Sequence, residues 1–469
     1  MNALARSLAM FPLLPTAMVA VSLGLLVSPY PYSALLPGLS VPFLLWFGQR
    51  SRRACLFYGI VALIPFGAYR ALGGESGLIR LHWLLAGVLI MLLVVEIFGR
   101  RSFPAELRHG RFWCLVLGFY TINILAATRS PFPAVSIQFM ALLAAGYLLV
   151  AMGMLLIDHK GYVQTLPGVI IGSILVGSAL AVLGYALHLK VFVSPVSGRA
   201  TGGAPDPNNL SLMIIFSLPL AVYFLLTARR PWVRLALLLV IGINILTVAL
   251  TFSRGGAIML GLASLLILWN FHRLIAPRNL GLLLGVGGLA VCVLLLLLPA
   301  SYGTRLKSVR DTDDFAINRR LSYLVVARDL FAQRPFLGHG PDTFSSLYSQ
   351  TEIGRSFKRK HETGRRKAHN TYVEVLVGSG LVGLAFFAAI LLYALRCLNR
   401  ARRIFLTRGM AAEALLTGAY RTAFISLLMY LAIFSDVYHK YLLLSLAVSQ
   451  VALRLAQQRG NEGVEHARR

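Results

Sequence analysis

The stretch Leu210-Ser-Leu-Met-Ile-Ile-Phe-Ser-Leu-Pro-Leu-Ala-Val-Tyr-Phe-Leu-Leu-Thr227 carries no charge, and Trp232 to Thr251 repeats the pattern with one arginine, Arg234. A helix needs about 20 predominantly apolar residues to cross a hydrocarbon core about 30 Å thick. Each stretch is therefore a membrane span. Comparable runs recur at 8–28, 32–48, 54–69, 78–98, 112–127, 133–157, 166–188, 255–271, 279–299, 372–395, 415–434 and 437–455. Counting the two quoted stretches, this predicts about 12–14 transmembrane helices: the second run is short and holds Pro37 and Pro42, and the last two form a tight pair. Across the chain 57% of residues are hydrophobic and 13% charged, too little polar surface to cover a water-soluble globule of 469 residues. The spans are helices because lipid offers no water to an open strand edge. The expected fold is an all-α polytopic membrane protein with spans over 1–300, one large, partly helical loop over 301–370, and further spans with a tail over 371–469.

The first run, Leu8 to Val27, follows a single arginine, Arg6, and is too long and too poor in cleavage signals for a removable signal peptide. It reads as an uncleaved span. Cys55, Cys114, Cys292 and Cys397 show no CxxC spacing, so neither a disulfide framework nor a zinc site is implied.

A net charge of +28 would point to nucleic acid in a soluble protein, but here the charge must first be divided between two membrane faces. With the N-terminus inside, the short loops of that face hold eighteen Lys/Arg, against seven on the other. The positive-inside rule then places both termini in the cytoplasm and residues 301–370 outside, in the periplasm of an inner-membrane protein. Nucleic acid is not an expected partner.

That loop carries 14 Lys/Arg and 7 Asp/Glu, against the bias of the short loops. Long loops cross regardless of charge, but an outward basic surface also collects anionic substrate. Its pattern predicts a helix capped by Asn318 and running to about Gln333, with Leu321, Leu324, Val325 and Leu330 on one face, ended by Arg334-Pro335. After Gly338-His339-Gly340, Pro341 is placed to start a second helix.

His369-Asn370 stands where the loop re-enters the membrane, ahead of Gly380 and Gly383 on the following helix. Small residues at that spacing let another helix approach closely and steady the histidine. Two outward arginines stand apart from the basic clusters. Arg199 lies in Ser197-Gly-Arg-Ala-Thr-Gly-Gly ahead of Asp206-Pro-Asn-Asn, and Arg254 in Ser253-Arg-Gly-Gly. Arginine at a span end often only snorkels, but flanking glycines would let a ligand near the backbone.

His369-Asn370 with Gly380 and Gly383, preceded by Arg320, Arg334-Pro335 and Gly338-His339-Gly340, is similar to the O-antigen ligase and O-antigen polymerase superfamily. Arg320 lies fifteen residues before Pro335, as that family's loop pattern has it. The resemblance covers about 195–395 and implies a membrane glycosyltransferase whose donor is a glycan on undecaprenyl diphosphate. Ligases pass it to the lipid A core, and polymerases pass it to another O-unit. Arg199 and Arg254 resemble the family's paired functional arginines.

The chemistry of those residue types agrees with that implication. Displacing a polyprenyl diphosphate from an anomeric carbon needs a base for the acceptor hydroxyl and cations for the leaving diphosphate. Histidine, with a free pKa of about 6.5, is neutral often enough to be that base, and the planar guanidinium fork fits phosphate oxygens. His369 is accordingly the expected catalytic base and Arg199 and Arg254 the diphosphate ligands. His339, Arg320 and Asn370 are expected substrate contacts; His339 is the rival base, set before a helix N-terminus that would lower its pKa. Asp311-Thr312-Asp313-Asp314 resembles a metal-binding Asp-x-Asp string, but a solvated loop gives the same string and arginines can neutralise a lipid diphosphate. Neither metal nor cofactor is expected.

The dense cluster Arg355, Lys358, Arg359, Lys360, Arg365, Arg366 and Lys367 offers a place for an acceptor rich in phosphates, which favours ligase over polymerase. A lipid-linked glycan transporter is the competing class. Transporters carry ionisable residues at the midplane, whereas Glu96, Glu374 and Asp436 sit near span ends. Glycan identity and oligomeric state leave no signature in the chain.

Overall fold

The computed structural model describes residues 52–67, 71–72, 79–100, 104–194, 197–272, 315–357 and 366–466. The runs at 8–28, 32–48 and 279–299 and the Asp311–Asp314 string lie outside them. The helices are α1 (Arg52–Ala62), α2 (Leu81–Arg100), α3 (Gly110–Thr128), α4 (Pro133–Leu156), α5 (Leu166–Ala186), α6 (Pro207–Thr227), α7 (Pro231–Leu250), α8 (Arg254–Phe271), α9 (Phe315–Gln333), α10 (Phe344–Gln350), α11 (Glu352–Ser356), α12 (Thr371–Thr407), α13 (Ala411–Leu431) and α14 (Lys440–His466). Among the described residues the ladders are a two-residue antiparallel pair, β1 (Ala71–Leu72) with β2 (Ile79–Arg80), and one isolated bridge, Val193 with Ala200. Eight helices among the described residues are long and apolar enough to cross a membrane: α3, α4, α5 with the π-helical turn before it, α6, α7, α8, α12 and α13. The chain is an all-α polytopic membrane protein.

The chain divides into two compact units. One holds the described part of Met1–Ala105 and Leu155–Ala257; there α5, α6 and α7 pack on one another, and α1 packs on α2 and α5. The other holds Glu106–Met154 and the described parts of Ile258–Arg278 and Val291–Arg469, with α12 at its centre against α3, α13 and α14. In lipid, helices associate through close van der Waals packing, which small residues permit. A Cβ at Gly118 of α3 would fall 2.3 Å from the Phe386 ring, and one at Gly146 of α4 would fall 2.6 Å from Leu443. Beside the first contact, Phe119 and Phe387 pair at 5.6 Å.

The long loop is structured where it is described, but three of its local details depart from expectation. First, α9 begins at Phe315, so Asn318 is inside the helix and does not cap it. Second, Pro341 lies in the turn before α10, which starts only after Thr343. Third, α9 buries Tyr323, Val326, Ala327 and Leu330 against Phe344, Tyr348, Ala368 and Val377, and leaves Leu321, Leu324 and Val325 exposed. The large rings of Tyr323, Phe344 and Tyr348 form this core, so the face carrying Tyr323 turns inward.

Helix α12 spans 37 residues, roughly 55 Å at 1.5 Å per residue, and breaks at Gly380 with φ 67° and ψ −168°. The segment 335–340 takes up the four backbone groups freed there. His339 and Gly340 donate their N–H groups to the Val377 and Gly378 carbonyls, and Leu381 and Val382 donate to the Pro335 and Phe336 carbonyls. A Cβ at Gly380 would lie 2.2 Å from the Phe336 backbone. What approaches at Gly380 is therefore a turn of the loop and not a helix, while Gly383 faces Ser379 and Ile122 of α3.

Candidate active site

In the first unit the Arg199 loop is built onto three helix ends. Asp206 caps α6, accepting from the N–H groups of Asn208 at 2.7 Å and Asn209 at 3.3 Å, and Pro207 occupies the first helical turn, where its missing donor costs nothing. This fixes Asn208, whose Oδ1 accepts from Arg199 Nη2 at 3.0 Å and from Ser253 Oγ at 2.8 Å. Arg199 Nε donates to the Thr251 carbonyl at the end of α7. Ser253 Oγ in turn accepts from the Gly256 N–H at 3.0 Å and so caps α8, whose first residue is Arg254. Arg199 and Arg254 thus belong to one corner, joined through Asn208 and Ser253. Nothing local in the sequence signals that Asn208 is its hub, because its partners are nine and 45 residues away. The helix N-terminus and the exposed Arg254 side chain make the corner electropositive.

The flanking glycines mostly admit protein. A Cβ at Gly202 would lie 2.0 Å from the Gly177 carbonyl oxygen, and one at Gly256 would lie 2.9 Å from Ser211. Gly198 does border open space.

In the second unit His369 occupies a left-handed backbone position, φ 51°, rare outside glycine and a few polar residues. Both neighbours are held. The Ala368 N–H donates to Glu374 Oε1 at 2.7 Å, and the Asn370 N–H donates to Ser435 Oγ at 2.9 Å. Asn370 also caps α12, its Oδ1 accepting from Tyr372 and Val373 N–H groups at 3.0 and 3.1 Å. Thr371 donates its hydroxyl to the Phe434 carbonyl at 2.6 Å, and the Asp436 N–H donates to that hydroxyl at 3.0 Å. The histidine is therefore presented half-buried on a rigid backbone, its ring 6.0 Å from that of Tyr323. Burial raises the Tyr323 phenol, while Arg319, Arg366 and Arg320 pull it back. Those three guanidinium groups therefore act electrostatically on the neighbour of His369, Arg320 from an exposed position of α9.

Two residues before the histidine, Lys367 pairs with Asp342 at 3.1 Å and lies 5.9 Å from the centre of the Tyr438 ring. Burial pulls the amine down, but Asp342, with Tyr438, Glu374 and Asp436, outweighs it and holds Lys367 above its ordinary range. Tyr323 escaped sequence reasoning, and the pairing of Lys367 with Asp342 and of Glu374 with the Ala368 amide did too, since aromatic and charged residues in a basic loop carry no distinguishing period.

His339 is 5% exposed, and its Nε2 lies 2.8 Å from the Leu330 carbonyl in the last turn of α9. Facing a carbonyl, Nε2 must carry the proton. Burial lowers the His339 pKa, with Arg334 adding to it, against the Leu330 hydrogen bond. In this arrangement the ring ties α9 to the loop, which the Gly-His-Gly string does not reveal. Among the described residues no group of three or more His, Cys, Asp or Glu is placed to hold a metal.

Residues 238–388 match the family model described as O-antigen ligase. The match covers roughly a third of the chain, which over that stretch is similar to the O-antigen ligase family. It takes in Arg254, Arg320, His339, His369 and Asn370, whereas Arg199 and Asn208 precede it. No curated protein matches the chain. The family supports a membrane glycosyltransferase of O-antigen ligase or polymerase type.

Proposed function

We propose that the chain is an O-antigen ligase that transfers O-antigen polysaccharide from undecaprenyl diphosphate to the lipid A core at the periplasmic face of the inner membrane. The observation that carries this reading is the presentation of His369 on a backbone held at both neighbours, beside Tyr323. His369 accepts the proton of an acceptor hydroxyl as the oxygen bonds to the anomeric carbon. The bond from that carbon to the diphosphate breaks, and Arg199 and Arg254 stabilise the charge left on the departing undecaprenyl diphosphate. Arg320 and Asn370 line the acceptor side, and His339 supports them from within. The acceptor is favoured as lipid A core because Arg355, Arg366 and Lys367 belong to a cationic cluster suited to its phosphates.

O-antigen polymerase is the alternative, since it needs the same base and the same diphosphate ligands. Cells deprived of the chain separate the two: accumulated long lipid-linked polymer identifies a ligase, and single lipid-linked repeats identify a polymerase. For the donor site, Arg199→Lys should restore little of the activity lost in Arg199→Ala, because an ammonium lacks the bidentate fork. Full transfer by Arg254→Ala with the protein inserted would remove the arginines from the mechanism.

A further inference from the structure

At the end of α12 opposite His369, the second unit gathers a polar cluster that the glycosyl-transfer reading does not use. Asn399 and Arg402 lie 28 and 31 residues beyond Thr371, roughly 40 Å along the helix. Arg421 sits midway along α13, a helix apolar enough to span the membrane. Its Nη1 donates to Asn399 Oδ1 at 2.9 Å and its Nη2 to Asn270 Oδ1 at 3.2 Å, Asn270 being in the last turn of α8. Gly418, one turn before Arg421, makes room for the rest. A Cβ there would lie 3.1 Å from Asn270 Oδ1 and 3.5 Å from Arg402 Nε.

The Gly418 position borders both Asn270 and Arg402, which brings the Arg402 guanidinium beside the amide to which Arg421 donates. Both Nε atoms are buried, and among the described residues neither has a hydrogen-bond acceptor and neither arginine forms an ion pair. The recorded partners of Arg421 are neutral amides, which supply no countercharge. Two cations held together between apolar spans without an anion are strongly unfavourable, and intramembrane ionisable residues mark ligand sites for that reason. Guanidinium groups offer a planar fork that fits phosphate oxygens, and the side-chain amides can donate to the same oxygens. The exposed Arg400 and Arg403 beside them raise the local positive potential.

We propose that Arg402 and Arg421, framed by Asn270 and Asn399, form a phosphate-binding site on the membrane face opposite His369. Its ligand is the phosphate of an anionic lipid headgroup or inorganic phosphate. The site is independent of the transfer reaction, and its test needs no activity. The full-length chain, purified and stripped of lipid, is titrated with phosphatidylglycerol, with zwitterionic phosphatidylcholine, and with inorganic phosphate against chloride at equal ionic strength. Thermal unfolding and native mass spectrometry follow each titration. Phosphatidylglycerol but not phosphatidylcholine should raise Tm and leave one tight adduct. In Arg402→Gln and Arg421→Gln the half-saturating lipid concentration should rise about tenfold or more, as expected for losing a charge-assisted contact. A rise with inorganic phosphate to which phosphatidylglycerol adds nothing assigns the site to free phosphate. A wild-type chain that responds to neither overturns the site even where a variant fails to fold, as does an unchanged half-saturation in folded variants.

Discussion

His369 owes its position to its neighbours, because the Ala368 and Asn370 amides are both tied down and the left-handed turn between them turns the ring out toward Tyr323. His369→Ala should lose about two to four orders of magnitude in transfer by the purified chain, the usual cost of a positioned base, while donor binding persists. The wild-type rate should also fall as pH drops below the imidazole pKa, since a protonated ring accepts no proton. Near-normal turnover by His369→Ala would reassign the base. The second histidine behaves differently. Because burial depresses the His339 pKa in the folded chain, the unfolded chain binds more protons between that value and about 6.5. The stability it contributes is complete above about 6.5 and is lost as pH falls toward the depressed value. Tm should therefore drop from pH 7.5 to pH 5.5, and the drop should shrink in His339→Gln; an unchanged drop would show that other groups cause it. At this scale the sequence was legible where a motif is contiguous, as at His369-Asn370 and Ser253-Arg254. It was silent at Asn208 and Tyr323, whose partners arrive from distant segments.

Among the elements, α12 depends most on its surroundings. Its break at Gly380 is sustained by four hydrogen bonds from 335–340 and by the absence of a Cβ where the Phe336 backbone passes. Gly380→Ala would meet both the clash and the positive φ, a combination that costs several kcal/mol when the loop cannot retreat. We expect it to lower Tm sharply and, because His339 and α9 move with the loop, to reduce transfer as well. Gly383→Ala has no positive φ at its own backbone, but its Cβ would fall 2.2 Å from Ser379 one turn earlier in α12, so it should cost less only as far as Ser379 can shift; an equal loss in both would mean that crowding within α12, not the left-handed break, is limiting. The glycine pair was visible in the sequence, but its meaning was not, since a helical spacing does not reveal that the first of the two residues is not helical. The shift of the buried face of α9, which keeps Leu330 but not Leu321, Leu324 or Val325, was hidden for a related reason: periodicity finds an apolar stripe, whereas burial follows the ring-bearing side.

For the whole molecule, eight of the fourteen apolar runs match helices that can span a membrane among the described residues. The run at 133–157 is α4 (Pro133–Leu156), and the run at 232–251 is α7 (Pro231–Leu250), because lipid thickness leaves little latitude in length. Cationic side chains are numerous, so we expect charge neutralisation of the donor to need no divalent ion. Transfer should survive EDTA; loss in EDTA with recovery on adding magnesium would bring Asp311, Asp313 and Asp314 back into consideration. The contact between 335–340 and α12 also bears on how such proteins can be recombined. A chimera that exchanges the long loop and stops at residue 370 would separate each donor amide from the carbonyl it was matched to. A workable splice point lies beyond Val382, so that loop and broken helix are inherited as one cassette.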